Sequence, residues 1–253
     1  MEILEFGDKN KRKLILIHGF QCPYQIWEEY IGHYKNDFHI IVPVMPGHHP
    51  QKQEDFSSFL QVSEALEDYY LSRYGKEVYA VFGMSMGGVL AATLWQNGRL
   101  HIEKIIFDGS PLVPFKGIVK NVILRFYLNV TRKTRQRDPK TLAQAEKICP
   151  PKYMHPFLQV IDGMSDTTVR NYIDGISRFR LRDNLNTGDT KIYYYYGSAF
   201  NEMLAKKSAR LIAGHFTGST VICFKGKGHC ENTLFHPDLM MKELDPILIP
   251  SSL

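Results

Sequence analysis

Short runs rich in β-branched and aromatic residues recur along the chain, and segments with helical patterns separate most of them. Most of these runs are continuously apolar, which is typical of strands buried on both faces of a helix-covered parallel sheet. The alternation predicts a doubly wound α/β fold. The predicted strands are Leu14–His18, His39–Val44, Val78–Phe82, Lys104–Asp108, Lys191–Tyr196 and Thr220–Phe224, with Met1–Phe6 as an antiparallel edge strand. The predicted helices are Phe56–Tyr74, Val89–Asn97 and Glu202–His215.

One long segment interrupts this alternation. Residues 111–186 show several helical patterns and no clear strand, and they carry 14 Lys and Arg against 6 Asp and Glu. A connection of this length is too long for a simple loop. We therefore predict a helical cap, or lid, at 111–186, inserted into an α/β core formed by residues 1–110 and 187–253.

The strongest local motif is the hexapeptide GMSMGG at positions 83–88, which follows a predicted strand and precedes a predicted helix. This is the context of a nucleophile elbow, in which a tight turn needs small residues around an exposed serine. The elbow predicts Ser85 as the nucleophile. The backbone N–H groups at the start of the helix would stabilise negative charge that develops beside it.

A second motif, His18-Gly19-Phe20, ends the predicted strand next to the elbow. The loop after this strand can direct a backbone N–H group at a reacting carbonyl. We predict an oxyanion hole formed by the backbone N–H groups of Phe20 and Met86, with no role in it for their side chains. We expect His18 itself to be structural.

A base for the serine is predicted at His229, in the segment Gly226-Lys227-Gly228-His229 after the last predicted strand. A serine hydroxyl needs a base within hydrogen-bonding reach, because its own pKa lies far above neutrality. Gly-His pairs also occur at 32–33, 47–48 and 214–215, so the pair alone is weak evidence. The position after the final strand distinguishes His229, because that strand ends at the same edge of the sheet as the elbow.

With these motifs the chain resembles the α/β-hydrolase family over nearly its whole length. The matching segments are HGF at 18–20, MPGHHP at 45–50, GMSMGG at 83–88 and GKGH at 226–229. The resemblance implies the family's mostly parallel sheet, here without its first strand, together with a cap. It also implies a hydrolase, although the family includes a few ligand receptors. Ser85 argues against its dehalogenases and epoxide hydrolases, which use an aspartate nucleophile.

The acid that would orient the histidine is not fixed by the motifs. In the family it usually follows the penultimate strand, where this chain has Glu202 and no Asp. Glu202 could equally serve as a structural acid at a helix start. The competing residue is Asp108, at the end of a buried strand, where a carboxylate needs a charged partner. We favour Asp108, with Glu202 as the alternative; Asp108 could also be a structural turn residue.

The predicted cap contains two segments that suggest contacts. The apolar segment Ile118–Val130 could line an acyl or aromatic pocket, or it could form the interior of the cap. The basic run of Arg132, Lys133, Arg135 and Arg137 could attract an anionic substrate or a membrane surface, or it could be a solvated face.

These residues predict a serine hydrolase that cleaves an ester or related acyl bond of a small, largely apolar substrate through an acyl-enzyme. Neither a cofactor nor a metal ion is expected. A carboxylesterase acting on a carboxylic ester or thioester is the first choice, and a carbon–carbon bond hydrolase is the second. An alternative from another class is a small-ligand binding or receptor protein with little turnover.

Composition limits the partners. The net charge of +5 is a mild excess, and no basic groove with interleaved aromatic residues indicates a nucleic-acid partner. No apolar run approaches the roughly 20 residues of a membrane-spanning helix. No signal peptide is visible, so we expect a cytoplasmic protein whose four cysteines are reduced thiols. The sequence leaves the oligomeric state open.

Overall fold

A seven-stranded sheet forms the centre of the protein. A computed structural model describes residues 1–52 and 54–249, and all elements named here lie within those ranges. The strand order is β1-β3-β2-β4-β5-β6-β7, with β1 antiparallel to β3 and the other neighbouring pairs parallel. The strands are β1 (Glu2–Phe6), β2 (Lys13–Ile17), β3 (His39–Val44), β4 (Glu77–Met84), β5 (His101–Asp108), β6 (Lys191–Gly197) and β7 (Thr220–Phe224). The predicted doubly wound, mostly parallel sheet is confirmed.

Ten α-helices are present in the described ranges. Their bounds are α1 (Glu28–Tyr34), α2 (Phe59–Tyr74), α3 (Met86–Asn97), α4 (Ile118–Arg135), α5 (Pro139–Ala145), α6 (Met154–Gly163), α7 (Asp166–Arg178), α8 (Met203–His215), α9 (Glu231–Phe235) and α10 (Pro237–Leu248).

Each face of the sheet is covered by its own set of helices. Ile15 and Ile17 of β2 lie in a core that α2, α3 and α8 complete. Leu14 and Leu16 point to the opposite face, where α1 and α10 supply the packing. Because successive side chains of a strand point to opposite faces, a strand covered on both sides must be continuously apolar. This is the physical reason for the uninterrupted apolar runs in the sequence.

The segment between β5 and β6 is helical. Helices α4 to α7 lie within residues 111–186, and this part of the described chain contains no strand. Helices α4, α6 and α7 share a small apolar cluster that includes Leu128, Val160 and Ile173. The same segment also packs on the sheet, because Tyr172 joins one main core and Phe157 joins the other.

The parallel strands align the candidate residues along one edge. Strands β2, β4, β5, β6 and β7 run in the same direction, so their carboxyl ends meet at a single edge of the sheet. Asp108 is the last residue of β5, and the segments that follow the other four strands contain Phe20, Ser85, Glu202 and His229. Ligand sites in open α/β sheets lie at this edge.

Candidate active site

Ser85 occupies the sharp turn between β4 and α3. Its backbone has φ 52° and ψ −117°, a conformation that L-residues rarely adopt and that is typical of a strained functional turn. Its N–H group donates to the carbonyl oxygen of Asp108 at 2.6 Å, which attaches the turn to the end of β5. The turn presents the Ser85 hydroxyl at the carboxyl edge, directly before the first residue of α3.

Glycines make this turn possible because the backbones approach closely. A Cβ atom on Gly83 would lie 2.5 Å from the Cα atom of Gly88. One on Gly87 would collide with the carbonyl oxygen of Ile17, and one on Gly88 with the side chain of Ser110. The glycine spacing of the motif therefore follows from packing between the turn, β2 and the loop after β5.

His229 lies in the loop between β7 and α9 and reaches the serine. The distance between His229 Nε2 and Ser85 Oγ is 2.7 Å, so the hydroxyl can donate to this nitrogen. The neutral tautomer that accepts this bond carries its proton on Nδ1. The His229 side chain is 36% exposed, so part of the ring faces solvent. The structure thus brings together the serine and histidine that the motifs singled out.

Glu202 is the carboxylate that contacts the histidine. His229 Nδ1 donates to Glu202 Oε1 at 2.5 Å, and the backbone N–H of Gly197 donates to the other carboxylate oxygen at 3.3 Å. Glu202 is fully buried in the turn after β6. It precedes α8, but its side chain accepts no bond from the helix, so it does not serve there as a capping acid.

The structure differs from the sequence-based preference for Asp108. Asp108 ends β5 and is buried, as expected, but its carboxylate accepts from the Thr233 hydroxyl at 2.6 Å and makes no hydrogen bond to His229. The polar partner of the buried Asp108 carboxylate is therefore the Thr233 hydroxyl in α9 and not the His229 imidazole. Asp108 ties β5 to α9, the helix directly after the His229 loop.

The pKa values of these groups follow from burial and charge. Burial lowers the pKa of His229, but the hydrogen bond and charge of Glu202, together with the charge of Asp108, more than offset it, so the net shift is upward. Burial raises the pKa of Asp108 to about 6, and the Thr233 hydroxyl and the charge of His229 oppose this only in part. A protonated His229 is thus stabilised by two carboxylates.

Two backbone N–H groups are available beside the serine. Those of Phe20 and Met86 donate to no other residue in the described part of the chain. Gly19 lies next to the elbow, since a Cβ atom there would be 3.5 Å from Ser85 Cβ. Both N–H groups are therefore free to bind an oxyanion, and that role stays a prediction.

Buried histidines hold the loop that carries Phe20. His18 Nδ1 donates to the carbonyl oxygen of Gly19 at 2.9 Å, and its Nε2 accepts from the N–H of Met45 at 3.2 Å. Burial lowers the pKa of His18 to about 4, so the ring stays neutral and acts structurally. His48 Nε2 accepts from the N–H of Gln21 at 2.9 Å.

Gln21 is a site residue that the sequence motifs did not indicate. It has φ 61° and is buried, and its side-chain amide donates to the Thr131 hydroxyl in α4 at 2.7 Å. The Phe20 ring packs on Tyr127 of α4 and Tyr172 of α7, with ring centroids 5.1 and 5.0 Å apart. The helical segment therefore touches the loop that supplies the Phe20 N–H, and the Phe20 side chain anchors that contact.

The basic run at the end of α4 forms most of its contacts within the helical segment. Arg132 pairs with Asp166, and Arg137 forms a two-pronged bond to Asp162 at 2.8 and 2.6 Å. Arg135 donates to backbone carbonyl oxygens. Three of the four residues thus form contacts within residues 111–186. This weakens their interpretation as a surface open to an anion.

The described ranges show no cluster of three or more His, Cys, Asp or Glu side chains suited to a metal ion. Nor do they contain a helix that is both long and apolar enough to cross a membrane. All four cysteines carry free thiols.

Comparisons with known proteins find similarity to esterases, lipases and hydrolases. No protein-family model matches the chain. A pimeloyl-[acyl-carrier protein] methyl ester esterase from Legionella pneumophila (strain Corby) is 28% identical over 125 residues, which cover 47% of this chain and 48% of that protein. The monoacylglycerol lipase abhd6-B from Xenopus laevis is 21% identical over 243 residues, covering 87% of this chain and 70% of the lipase. The chain thus matches about half the length of the esterase.

Among solved structures, an alpha/beta hydrolase family protein from Desulfitobacterium hafniense superposes with a TM-score of 0.78. The match covers 98% of this chain and 100% of the other at 18% sequence identity. Likeness at this identity establishes the fold, so the resemblance inferred from the motifs is confirmed: the chain has the α/β-hydrolase fold.

Proposed function

Because the chain has the α/β-hydrolase fold, we propose that it is a serine hydrolase that cleaves a carboxylic ester or related acyl bond. The observation that carries the proposal is the continuous chain of hydrogen bonds from Ser85 through His229 to Glu202, with distances of 2.7 and 2.5 Å. The names of the two curated relatives, an esterase and a lipase, support the same reaction class. The binding-protein alternative was based on the irregular position of the acid in the sequence, and the hydrogen bond between His229 and Glu202 weakens that argument.

In the proposed reaction Ser85 Oγ attacks the carbonyl carbon of the substrate while His229 Nε2 accepts the hydroxyl proton. The buried Glu202 carboxylate stabilises the imidazolium that forms. The backbone N–H groups of Phe20 and Met86 bind the negative oxygen of the tetrahedral intermediate. His229 then protonates the departing alcohol, leaving an acyl-Ser85 ester. Water, deprotonated by the same nitrogen, hydrolyses that ester and restores the serine.

We also propose that residues 111–186 form a cap that shapes the acyl site. This proposal rests on the contacts of Phe20 with Tyr127 and Tyr172 and on the bond between Gln21 and Thr131. Through these contacts α4 and α7 lie beside the loop that carries Phe20 and Gln21. An apolar substrate at Ser85 would lie near this apolar part of the insertion, which favours apolar acyl groups over charged ones.

Labelling with a fluorophosphonate tests the nucleophile. We expect one adduct per chain in the intact mass spectrum of the wild type, none in Ser85→Ala, and much slower labelling in His229→Ala. Steady-state hydrolysis of short-chain nitrophenyl esters should fall by about 10⁴-fold or more in Ser85→Ala. A folded wild type that neither labels nor hydrolyses any ester of the series would contradict the proposal.

The acid is tested by a matched pair of carboxylate variants. Glu202→Gln should lower kcat/KM by about 10²- to 10⁴-fold, whereas Asp108→Asn should lower it far less. Because Glu202 raises the His229 pKa and catalysis needs the neutral ring, the acidic limb of the pH–rate profile should move to lower pH in Glu202→Gln. The reverse ranking of the two variants would assign the role to Asp108.

A further inference from the structure

Helix α4 carries apolar side chains on two opposite sides. On the inner side Leu128 is buried, and Ile123, Leu124 and Tyr127 pack against the cluster of the insertion. On the outer side four large apolar residues face solvent, each more than half exposed. They are Ile118 (82%), Val119 (51%), Val122 (60%) and Phe126 (58%), and we call them the outer stripe.

The outer stripe is a continuous surface rather than scattered residues. Ile118, Val122 and Phe126 are spaced by four, so they lie above one another along one side of the helix, and Val119 lies beside them. Single exposed apolar residues are ordinary, but a contiguous patch on a protein surface marks a contact site. Nothing in the fold requires this side of α4 to be apolar, because its inner side already supplies the packing.

The charged side chains of helix α4 are all positive. Helix α4 contains no Asp or Glu. Three of its basic residues pair with carboxylates of α7: Lys120 with Asp174, and both Arg132 and Arg135 with Asp166. In contrast, Lys116, Arg125 and Lys133 are exposed and form no ion pair within the described ranges. The outer side of α4 therefore combines apolar residues with free positive charge.

We propose that the outer stripe binds the surface of a membrane that contains anionic lipids. An amphipathic helix of this composition lies in the plane of the interface, with its apolar side among the acyl chains and its cations at the headgroups. Four residues on a convex helix give too small an area for a stable protein partner, which needs about 800 Å² per side. The proposal concerns binding alone and does not depend on the esterase activity.

Vesicle sedimentation with the Ser85→Ala protein tests this inference without hydrolysis of the lipid. We expect the protein to sediment with vesicles containing about one third phosphatidylglycerol, and much less with phosphatidylcholine alone. The double variant Val122→Glu/Phe126→Glu should lose binding by about tenfold or more. Leu60→Glu/Leu239→Glu is the matched control, because these exposed leucines lie on α2 and α10, and it should bind like the parent.

Variants of the basic residues separate the electrostatic contribution to vesicle binding from the apolar contribution of the outer stripe. Each of Lys116→Gln, Arg125→Gln and Lys133→Gln should weaken binding to the anionic vesicles by about fivefold, and high salt should do the same. Circular dichroism should show unchanged folding, since all these side chains are exposed. The inference is overturned if the parent does not bind anionic vesicles, or if both double variants bind equally. It is also overturned if the stripe proves to join two copies, seen as a dimer that Val122→Glu/Phe126→Glu dissociates.

Discussion

At the scale of single residues, two buried carboxylates lie near one histidine, and only one of them forms a hydrogen bond to it. Asp108 and Glu202 both lie at the carboxyl edge, and the charges of both raise the pKa of His229. Only Glu202 makes the hydrogen bond, while Asp108 is bound by Thr233. Burial alone therefore does not identify the acid. The direction in which each side chain leaves its strand end determines which carboxylate contacts His229.

The pKa of Asp108 is raised from an ordinary value of 3.8 to about 6. The ionised carboxylate therefore lowers the free energy of unfolding, and this effect depends on pH. A folded-state pKa above the unfolded value stabilises the fold below about pH 4, and this stabilisation is lost as the pH rises through 6. Asp108→Asn keeps the side chain neutral. We expect the free energy of unfolding of Asp108→Asn to be about 3 kcal/mol higher than that of the wild type at pH 8. At pH 4 the two free energies should differ little.

Urea unfolding of both proteins at the two pH values measures this difference. The exposed Asp37→Asn serves as the control and should leave stability unchanged at either pH. A constant difference between Asp108→Asn and wild type across the pH range would show that the Asp108 charge has no such cost.

At the scale of elements, the elbow shows how packing overrides helix propensity. Gly87 lies in the first turn of α3, where alanine would ordinarily be the better residue. A Cβ atom there meets the carbonyl oxygen of Ile17, which belongs to β2 and cannot move alone. The close approach of α3 to β2 thus depends on a residue without a side chain.

A pair of glycine variants tests this point. Gly87→Ala should lower the free energy of unfolding by about 1–3 kcal/mol or more, because the helix must shift away from the sheet. Gly32→Ala in α1, where a Cβ atom meets nothing within 4 Å, should raise it by about 0.5–1 kcal/mol. Thermal unfolding of the two variants gives the comparison. Equal effects of the two substitutions would rule out the steric explanation.

At the scale of the whole molecule, the helical insertion is joined to the sheet as well as to itself. Tyr172 and Ile176 of α7 belong to the core on one face, and Phe157 and Ile161 of α6 to the core on the other. The division into core residues 1–110 and 187–253 and cap residues 111–186 remains a prediction about domains, and residues 250–253 lie outside the described ranges. The shared cores favour one folding unit.

We therefore predict a single cooperative unfolding transition. Calorimetry should give equal calorimetric and van't Hoff enthalpies, and fluorescence and far-UV circular dichroism should report the same midpoint. Phe157→Ala should lower that common midpoint, because it removes a buried side chain shared between insertion and core. Two separate transitions would instead show that the insertion folds as an independent domain.

Features that depend on neighbouring residues could be predicted from the sequence. The strands β3 and β7 have the bounds that the apolar runs predicted, and the elbow with Ser85 follows from sterics within one strand–turn–helix unit. Helices α1, α9 and α10 were not predicted, because their apolar residues mark a buried face only once the sheet is present. His229 could be chosen because the last strand must end at the same edge.

Contacts between distant side chains could be identified only in the tertiary structure. The choice of Glu202 over Asp108 depends on where two strand ends place their carboxylates around one imidazole. The bond between Gln21 and Thr131 joins residues 110 positions apart, and no local pattern encodes it. The outer stripe of α4 likewise became visible only when the other side of that helix proved to be buried. Such contacts depend on the path of the whole chain, and short segments do not contain that information.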